Sequence, residues 1–364
     1  MKHLPFLFFA SLFFFMSCSS DNEVADIDPG PEASALYFPP IGGSEWETVS
    51  ASDLSWNSSA ESELYDFLNE KGTDGFIILK DGKIVVEWYF GDFIASDNHS
   101  WNSAGKTLTA MTVGIAQTEG FLSIEDSSQI YLGEGWSMLT PKQEANIKIR
   151  HHLTMTTGLD YTVDDPFCYD QECLLYKNEP GTYWYYHNAA YTILDQIITN
   201  ATATDFKQYS YQKIRDKIGM QGNWIKVGYN NLFFSNTRSM ARFGLLCLNQ
   251  GTWDTVEVLA DKSYFTEMTN TSQNLNSSYG YLWWLNGKSG FKAPGSEANF
   301  QGELIPNAPS ELIAGLGAFD QKLYLVPSEN LVVVRLGDDA GESQLASSSF
   351  DNQLWEKLNA YFNN

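Results

Sequence analysis

Basic residues are scarce in this chain. Among its 364 residues, Asp and Glu number 45 and Lys and Arg number 22, which gives a formal net charge of -23 at pH 7. A field of that sign repels nucleic acid and anionic lipid headgroups. The composition therefore argues against nucleic acid as a partner and against an electrostatic contact with a membrane.

Residues that bind metals are also few. The chain has five histidines and four cysteines. It contains neither a C-x-x-C nor an H-E-x-x-H spacing, and the histidines form no recognisable ligand set along the sequence. We therefore expect no metal site.

The apolar run at the N-terminus is too short to span a bilayer comfortably. It extends from Leu4 to Met16 behind the basic Lys2, and it has the length of a signal-peptide core. The run ends in Phe-Met-Ser-Cys, and a polar, acidic stretch follows Cys18. This pattern resembles a bacterial lipoprotein signal, in which the cysteine is lipidated and becomes the first residue of the mature chain. An ordinary secretory signal cleaved nearby is the alternative.

These features predict three segments: a signal peptide over residues 1–17, a lipoprotein tether over 18–45 and a folded domain over 46–364. The protein is then exported, and it is held at a periplasmic or cell-surface membrane face only through a lipid on Cys18. In an exported protein Cys168 and Cys173, close together in FCYDQEC, are candidates for a local disulfide.

Strands at both ends of the domain enclose a helical middle. FIILKDGKIVVEWYF (76–90) predicts a hairpin around Asp81-Gly82, and residues 58–72 predict an amphipathic helix. Residues 103–245 are mostly helical in pattern, strands return in the last third, and a helix closes the chain. We predict an α+β fold (an α/β sandwich), in which helices flank an antiparallel sheet and a helical subdomain over about 103–245 is inserted. A cleft is expected where the two lobes meet.

Three Ser-x-x-Lys pairs occur, and their surroundings distinguish them. SYQK from Ser210 lies in a charged amphipathic stretch, and SGFK from Ser289 lies in a Gly-rich loop. Ser103 instead begins an apolar helix, with Lys106 one turn deeper on the same face. A serine hydroxyl needs a base within hydrogen-bond reach, and burial lowers the pKa of a lysine enough for it to serve. A serine N-cap with a solvated lysine is the alternative.

Two further segments carry suitable polar groups. Tyr186 and Asn188 precede an amphipathic helix; an ammonium nearby would favour the Tyr186 phenolate, and the Asn188 amide can accept from a lysine and hold a substrate. Near AGLGAFD, Gly317 lets the backbone run close to a substrate, and the Ala318 N–H is a candidate donor to an oxyanion, as is the N–H of Ser103. Aromatic core packing is the competing interpretation of the tyrosine segment.

Together, SAGKTLTAMTVGIAQTEG, PGTYWYYHNAAYTIL and AGLGAFDQKLYLVPSENLVVV resemble, in order, the three motifs of the serine β-lactamase and penicillin-recognising hydrolase superfamily. The resemblance covers about residues 46–363, and it is to the class C side, with family VIII-type esterases and aminohexanoate-dimer hydrolases. It implies an acyl-enzyme on Ser103, general base and acid work shared by Lys106 and Tyr186, and Asn188 as a positioning group. It also implies that no cofactor is required.

One position departs from the family pattern. The third motif usually begins with Lys or His, which supplies a cation for a substrate carboxylate, but here Gly315 occupies that place. An anionic β-lactam or D-alanyl peptide would lose a contact of about 1.5 to 3 kcal/mol. We therefore expect a serine hydrolase of esters or amides, with a neutral small molecule or peptide as substrate.

Two other functions stay open. A D-alanyl-D-alanine carboxypeptidase or β-lactamase would need a cation from elsewhere, with Lys288 or Lys292 as candidates. A penicillin-binding-like sensor or binding protein would be acylated without turnover.

Overall fold

The computed structural model describes Met1, residues 36–341 and residues 348–363. The chain divides into two units, Met1–Ser34 and Ala35–Asn364, and the fold below is that of the second. Cys18 lies outside the described residues, as does the predicted signal peptide beyond Met1, so the segment boundaries stay predictions. In the described part of the chain, no helix has both the length and the apolar character needed to cross a membrane.

A six-stranded sheet forms the centre of the domain. Its strand order is β2-β1-β13-β12-β11-β8, and all neighbours pair antiparallel. Every residue of β13 is buried, as expected for a β-branched strand in the middle of a sheet. The strands of this sheet are β1 (Thr73–Lys80), β2 (Lys83–Tyr89), β8 (Trp284–Leu285), β11 (Ile313–Gly317), β12 (Gln321–Val326) and β13 (Leu331–Gly337).

The predicted hairpin of β1 and β2 is confirmed, and the backbone conformation of its turn accounts for the pairing. Asp81 and Gly82 both have positive φ, 51° and 82°, between the paired strands β1 and β2. Two consecutive left-handed residues give a turn whose twist matches that of the strands, and Asp-Gly tolerates this conformation well.

The helices that flank the sheet lie on opposite faces. In β12, Leu323 and Leu325 approach Gly244 of α8 (Thr237–Leu248), whereas Lys322 and Tyr324 contact Asp351 of α10 (Ser349–Phe362). Successive strand residues point to opposite faces, so the alternation places α8 and α10 on either side of the sheet. Helix α1 (Glu61–Glu70) lies beside α10, with Phe67 stacked on Phe350. The predicted α+β architecture is therefore confirmed.

The inserted region is less helical than its sequence pattern predicts. The remaining helices are α2 (Lys106–Thr118), α3 (Gln129–Leu132), α4 (Pro141–Asn146), α5 (Ile149–Leu153), α6 (Asn188–Thr202), α7 (Phe206–Ser210), which continues as a π-helical turn over Tyr211–Arg215, and α9 (Lys262–Met268). The short strands are β3 (His99–Ser100), β4 (Asn223–Val227), β5 (Asn230–Ser235), β6 (Thr252–Trp253), β7 (Val256–Glu257), β9 (Gly290–Phe291) and β10 (Phe300–Gln301). The strands β3, β5 and β4 form a second sheet in that order.

The structure differs from the sequence pattern at two places in this region. Within the stretch 103–245, which the pattern predicts as mostly helical, residues 145–159 contain only the five-residue α5, because Met155 adopts a left-handed φ of 59° that ends the helical run. The β4–β5 hairpin was missed altogether. Burial alternates residue by residue along β5, so a period-two signal is present, but polar residues at three of its six positions weaken it.

Candidate active site

Ser103 lies in a short turn that is anchored on both sides. The turn is a 3₁₀ segment over Asn102–Gly105 that leads directly into α2. Just before it, the buried Trp101 donates its ring N–H to Ser235 Oγ at 2.8 Å and its backbone N–H to Phe233 O at 2.8 Å. Since eleven of the thirteen residues of α2 are buried, the helix is part of the core and holds the turn in place.

Lys106 joins the first two motifs. Its Nζ donates to Ser103 Oγ at 3.0 Å and to Asn188 Oδ1 at 2.9 Å. The lysine is only 4% exposed, and this burial lowers its pKa to about 7. A neutral lysine amine beside a serine hydroxyl can take the hydroxyl proton. The arrangement therefore has the parts of a nucleophile and its base.

Tyr186 is placed near the same pair, but its protonation differs from the expectation. Its ring centre is 5.1 Å from Lys106 Nζ, and the Tyr191 ring centre is 4.2 Å from the same atom. Burial raises the pKa of Tyr186, and the interaction with the Ser103 hydroxyl lowers it by less. The phenol therefore stays protonated at neutral pH, and the expected shift toward phenolate was wrong because desolvation outweighs the hydrogen bond with Ser103.

The other two Ser-x-x-Lys pairs are not assembled in this way. Lys213 forms an ion pair with Glu119, and the Ser210 hydroxyl accepts from Trp224 Nε1 at 3.2 Å. Lys292 lies 4.7 Å from the Tyr183 ring centre. Burial beside a serine and an amide thus distinguishes Lys106 from both.

The third motif contacts the Ser103 turn through its backbone. A Cβ on Gly317 would lie 2.3 Å from Trp101 O and 3.1 Å from Ala104 N, so only glycine permits this approach. Gly317 therefore borders the turn rather than the cleft, whereas the next residue, Ala318, lines the cleft. Among the described residues, neither the Ser103 nor the Ala318 backbone N–H donates to a carbonyl outside its own helix or strand. Both are therefore candidates to bind a substrate oxygen.

We predict that Gly317→Ala is strongly disruptive. Its new methyl group would push Trp101 O away and shift Ser103, so we expect a loss of about 1 to 3 kcal/mol in unfolding free energy, together with most of the activity. Gly315→Ala is the matched control, since its nearest contact is the Thr107 methyl group at 3.3 Å. Urea unfolding and ester hydrolysis of both variants test this; equal effects at the two glycines would contradict it.

A cleft of about 460 Å³ opens over this group. Its walls are mainly apolar or aromatic, and Lys106 is the one charged residue among the described residues that line it. The lining residues are Asn102, Ser103, Lys106, Pro166, Phe167, Tyr185, Tyr186, Asn188, Tyr191, Asn230, Leu232, Pro294, Gly295, Ala318 and Phe319. Neither Lys288 nor Lys292 is among them, so neither candidate cation lines the cleft.

Several wall residues were missed by sequence reasoning. Pro166 and Phe167 come from a loop in which Cys168 and Cys173 are joined by a disulfide with a Cα–Cα distance of 5.9 Å. The loop is tied to the start of α6, since Ala189 N donates to Pro166 O at 3.2 Å. The paired cysteines were the available signal that this segment is held in one shape.

The residue between Tyr186 and Asn188 belongs to a different environment. His187 is buried beside Met155, Gly158 and Tyr161, and it does not line the cleft. Burial lowers its pKa to about 4, so the ring is neutral at pH 7. Across the described residues, no group of His, Cys, Asp or Glu is arranged to hold a metal ion.

Comparisons with known proteins show the family of this chain. The family model named Beta-lactamase matches residues 69–352. The chain belongs to that family. As a family member it is a serine hydrolase of the β-lactamase and penicillin-binding-protein superfamily, as its sequence motifs predicted.

Individual relatives of this β-lactamase-family protein are distant. A 6-aminohexanoate-dimer hydrolase from Paenarthrobacter ureafaciens is 22% identical over 316 residues, which cover 75% of this chain and 74% of the relative. A Bacillus anthracis structure named for the same hydrolase superposes with a TM-score of 0.66 at 18% identity, covering 89% of this chain and 88% of the other. A penicillin-binding protein from Bacillus halodurans gives 0.60 at 15% identity, covering 82% and 100%. These structures show a shared fold.

Proposed function

We propose that this serine hydrolase cleaves neutral esters or amides through an acyl-enzyme on Ser103. The observation that carries the proposal is the pair of hydrogen bonds from Lys106 to Ser103 and Asn188, on the floor of a cleft with no second cation among its described lining residues. A buried amine with a pKa of about 7 is partly neutral at physiological pH, as a general base requires.

In the first step Ser103 Oγ bonds to the substrate carbonyl carbon while its proton passes to Lys106 Nζ. The carbonyl oxygen becomes an oxyanion, and the N–H groups of Ser103 and Ala318 stabilise it. The bond to the leaving group then breaks, and Tyr186 is the proton donor to the departing oxygen or nitrogen because its phenol is protonated. The proton on Lys106 then passes to the Tyr186 phenolate and restores the phenol.

Deacylation reverses these roles with water. The water oxygen bonds to the acyl carbon while one of its protons passes to the Lys106–Tyr186 pair. The bond between the acyl carbon and Ser103 Oγ then breaks, and the same pair returns the proton to Ser103 Oγ as the acid is released. Asn188 holds the amine in place by accepting its second hydrogen bond. The steps balance without a cofactor.

The cleft walls favour an uncharged, apolar acyl group. Phe167, Leu232 and Phe319 provide apolar surface, while no basic side chain other than Lys106 is among the described wall residues to pair with a carboxylate. A buried anionic group without a partner is costly to bind. The relative from Paenarthrobacter, named for a 6-aminohexanoate dimer, supports including amides beside esters.

A matched substrate series tests this proposal. Purified protein is assayed with p-nitrophenyl butyrate, with the p-nitrophenyl monoester of succinate, which adds a carboxylate, and with nitrocefin and a D-alanyl-D-alanine peptide. We expect turnover of the butyrate ester with kcat/KM at least about 10-fold above that of the succinate ester. Preferred turnover of the last two substrates would instead support a β-lactamase or cell-wall peptidase. A stable nitrocefin adduct without turnover would support a sensor.

We also propose that the protein is exported and anchored through a lipid on Cys18, on the strength of its apolar N-terminal run and the polar segment that follows. The Cys18→Ser variant is expected to move from the membrane fraction to the soluble fraction of a bacterial host, and to lose incorporation of labelled palmitate. Membrane retention by the variant would contradict the anchor.

A further inference from the structure

The backbone that carries the Ala318 N–H is held in an unfavourable conformation. Ala318, Phe319 and Asp320 form the loop between β11 and β12, whose last paired residues are Gly317 and Gln321. Phe319 and Asp320 have φ values of 57° and 59°, in the left-handed region. Phenylalanine rarely adopts this conformation, and such residues persist only where surrounding contacts determine them.

Burial of the phenylalanine does not supply those contacts. The Phe319 side chain is 41% exposed at the cleft wall. Instead, side chains of the sheet donate hydrogen bonds to the backbone carbonyls of the loop. Phe319 O accepts from Gln321 Nε2 at 2.6 Å, and Asp320 O accepts from Arg335 Nη1 at 2.9 Å. On the other side, Ala318 O accepts from Asn102 Nδ2 at 2.8 Å, which links the loop to the residue before Ser103.

The Asp320 side chain ties the loop to a buried charged cluster. Its carboxylate accepts from Ser348 Oγ at 2.6 Å and from Ala340 N at 3.1 Å, and it pairs with Lys322 Nζ at 3.1 Å. Asp320 and Lys322 are both fully buried. Buried ion pairs add little net stability, because desolvation offsets the attraction, but they fix geometry. Here the geometry they fix is that of the loop.

We infer that Asp320 is a positioning residue for the hydrolase reaction: its carboxylate holds the left-handed Phe319–Asp320 turn and so aims the Ala318 N–H at the oxyanion. This inference rests on the proposed function. The buried charged cluster lies on the face of the sheet opposite α8. It then contributes to catalysis, although none of its acidic or basic residues lines the cleft.

The neighbouring Asp351 provides a matched control. It belongs to the same cluster, pairs with Lys322 at 2.8 Å and accepts from Tyr324 at 2.5 Å. It also accepts from Ser348 N at 3.0 Å, so the two carboxylates share Ser348, but it makes no described contact with residues 318–320. Either carboxylate leaves Lys322 with the other as its partner. Asp320→Asn and Asp351→Asn therefore disturb the cluster to a similar degree, while only the first disturbs the loop.

The test combines four variants with three measurements. Asp320→Ala, Asp320→Gly, Asp320→Asn and Asp351→Asn are compared for kcat and KM on an activated ester, for thermal stability, and for inhibition by a boronic acid, which forms a tetrahedral adduct with an oxygen in the oxyanion site. We expect Asp320→Ala to lower kcat about 10- to 100-fold with KM nearly unchanged, and to weaken the boronic acid by a similar factor.

Asp320→Gly separates conformation from charge. Glycine accepts positive φ without strain, so this variant is expected to retain more kcat than Asp320→Ala although both lack the carboxylate. Asp351→Asn is expected to lower the melting temperature and to leave kcat and boronic acid affinity unchanged. If Asp320 and Asp351 variants lose stability alike and none changes kcat, the positioning role is wrong. If the wild type shows no hydrolysis that depends on Ser103, the proposed function itself is wrong.

Discussion

Ser103→Ala should reduce kcat/KM for a neutral ester by at least about 10⁴-fold, while the protein stays folded. The oxygen of this hydroxyl is the atom that forms the acyl bond in this mechanism, and it accepts a hydrogen bond from the buried Lys106. The new methyl side chain removes one acceptor from Lys106, which keeps Asn188 as its second partner. Circular dichroism and thermal unfolding should therefore change little.

The control comes from a second Ser-x-x-Lys pair. Ser289 is exposed in its loop, and Ser289→Ala should retain wild-type kinetics. Stopped-flow hydrolysis of p-nitrophenyl butyrate gives both the burst and the steady-state rate. A Ser103→Ala protein that keeps more than about a tenth of the wild-type rate would show that another nucleophile, or water alone, performs the reaction.

Lys106→Met should remove activity and stabilise the fold at the same time. Loss of the general base is expected to lower kcat about 10²- to 10⁴-fold. Methionine has a similar length, but no charge to desolvate, at a site that is only 4% exposed. We therefore expect the variant to have a higher melting temperature than the wild type at pH 6 and a lower kcat.

The pH dependence follows from the lowered pKa of Lys106. Its folded pKa of about 7 lies below the ordinary 10.5, so between these values the unfolded state binds more protons and stability rises with pH. Below pH 7 the lysine is protonated in both states and the full cost of burying its charge remains. The stability gain of Lys106→Met should therefore be largest at and below pH 7 and should shrink toward pH 10.

The same group sets the rate profile. Wild-type kcat/KM should rise with pH through about 7 as the amine becomes neutral, and the residual activity of Lys106→Met should lack that transition. Lys213→Met, at the lysine of another Ser-x-x-Lys pair, removes an ion pair with Glu119 and should change neither property by much. If wild-type kcat/KM does not change from pH 6 to 8, or if Lys106→Met keeps the same pH dependence as the wild type, Lys106 is not the base.

The sequence predicted the parts of this site whose chemistry depends on local pattern. Ser103 and Lys106 lie three residues apart where the chain enters an apolar helix, and that spacing is enough to place both on one face. Asn188 begins α6, where the sequence placed a helix start, and the order of the motifs indicated which segments meet. The Asp81-Gly82 turn was predictable for the same reason, because its signal is contained in two residues.

Features that depend on long-range packing were not predictable. The protonation of Tyr186 is decided by burial under Trp284 and Tyr279, residues almost a hundred positions away. The walls formed by Phe167 and Phe319 come from loops whose residues have no helical or strand period. The left-handed Phe319–Asp320 turn contradicts local preference, and long-range contacts such as those from Arg335 and Ser348 account for it.

Peptide mapping after reaction with a fluorophosphonate, a reagent that phosphonylates activated serines, tests most directly whether Ser103 is the nucleophile. The wild type is labelled at pH 8, digested and analysed by mass spectrometry, beside Ser103→Ala and a parallel sample treated with penicillin. We predict a single adduct on the peptide that contains Ser103, its absence from the variant, and no penicillin adduct. An adduct on another serine, or none at all in a folded and active protein, would contradict the central claim that Ser103 is the nucleophile.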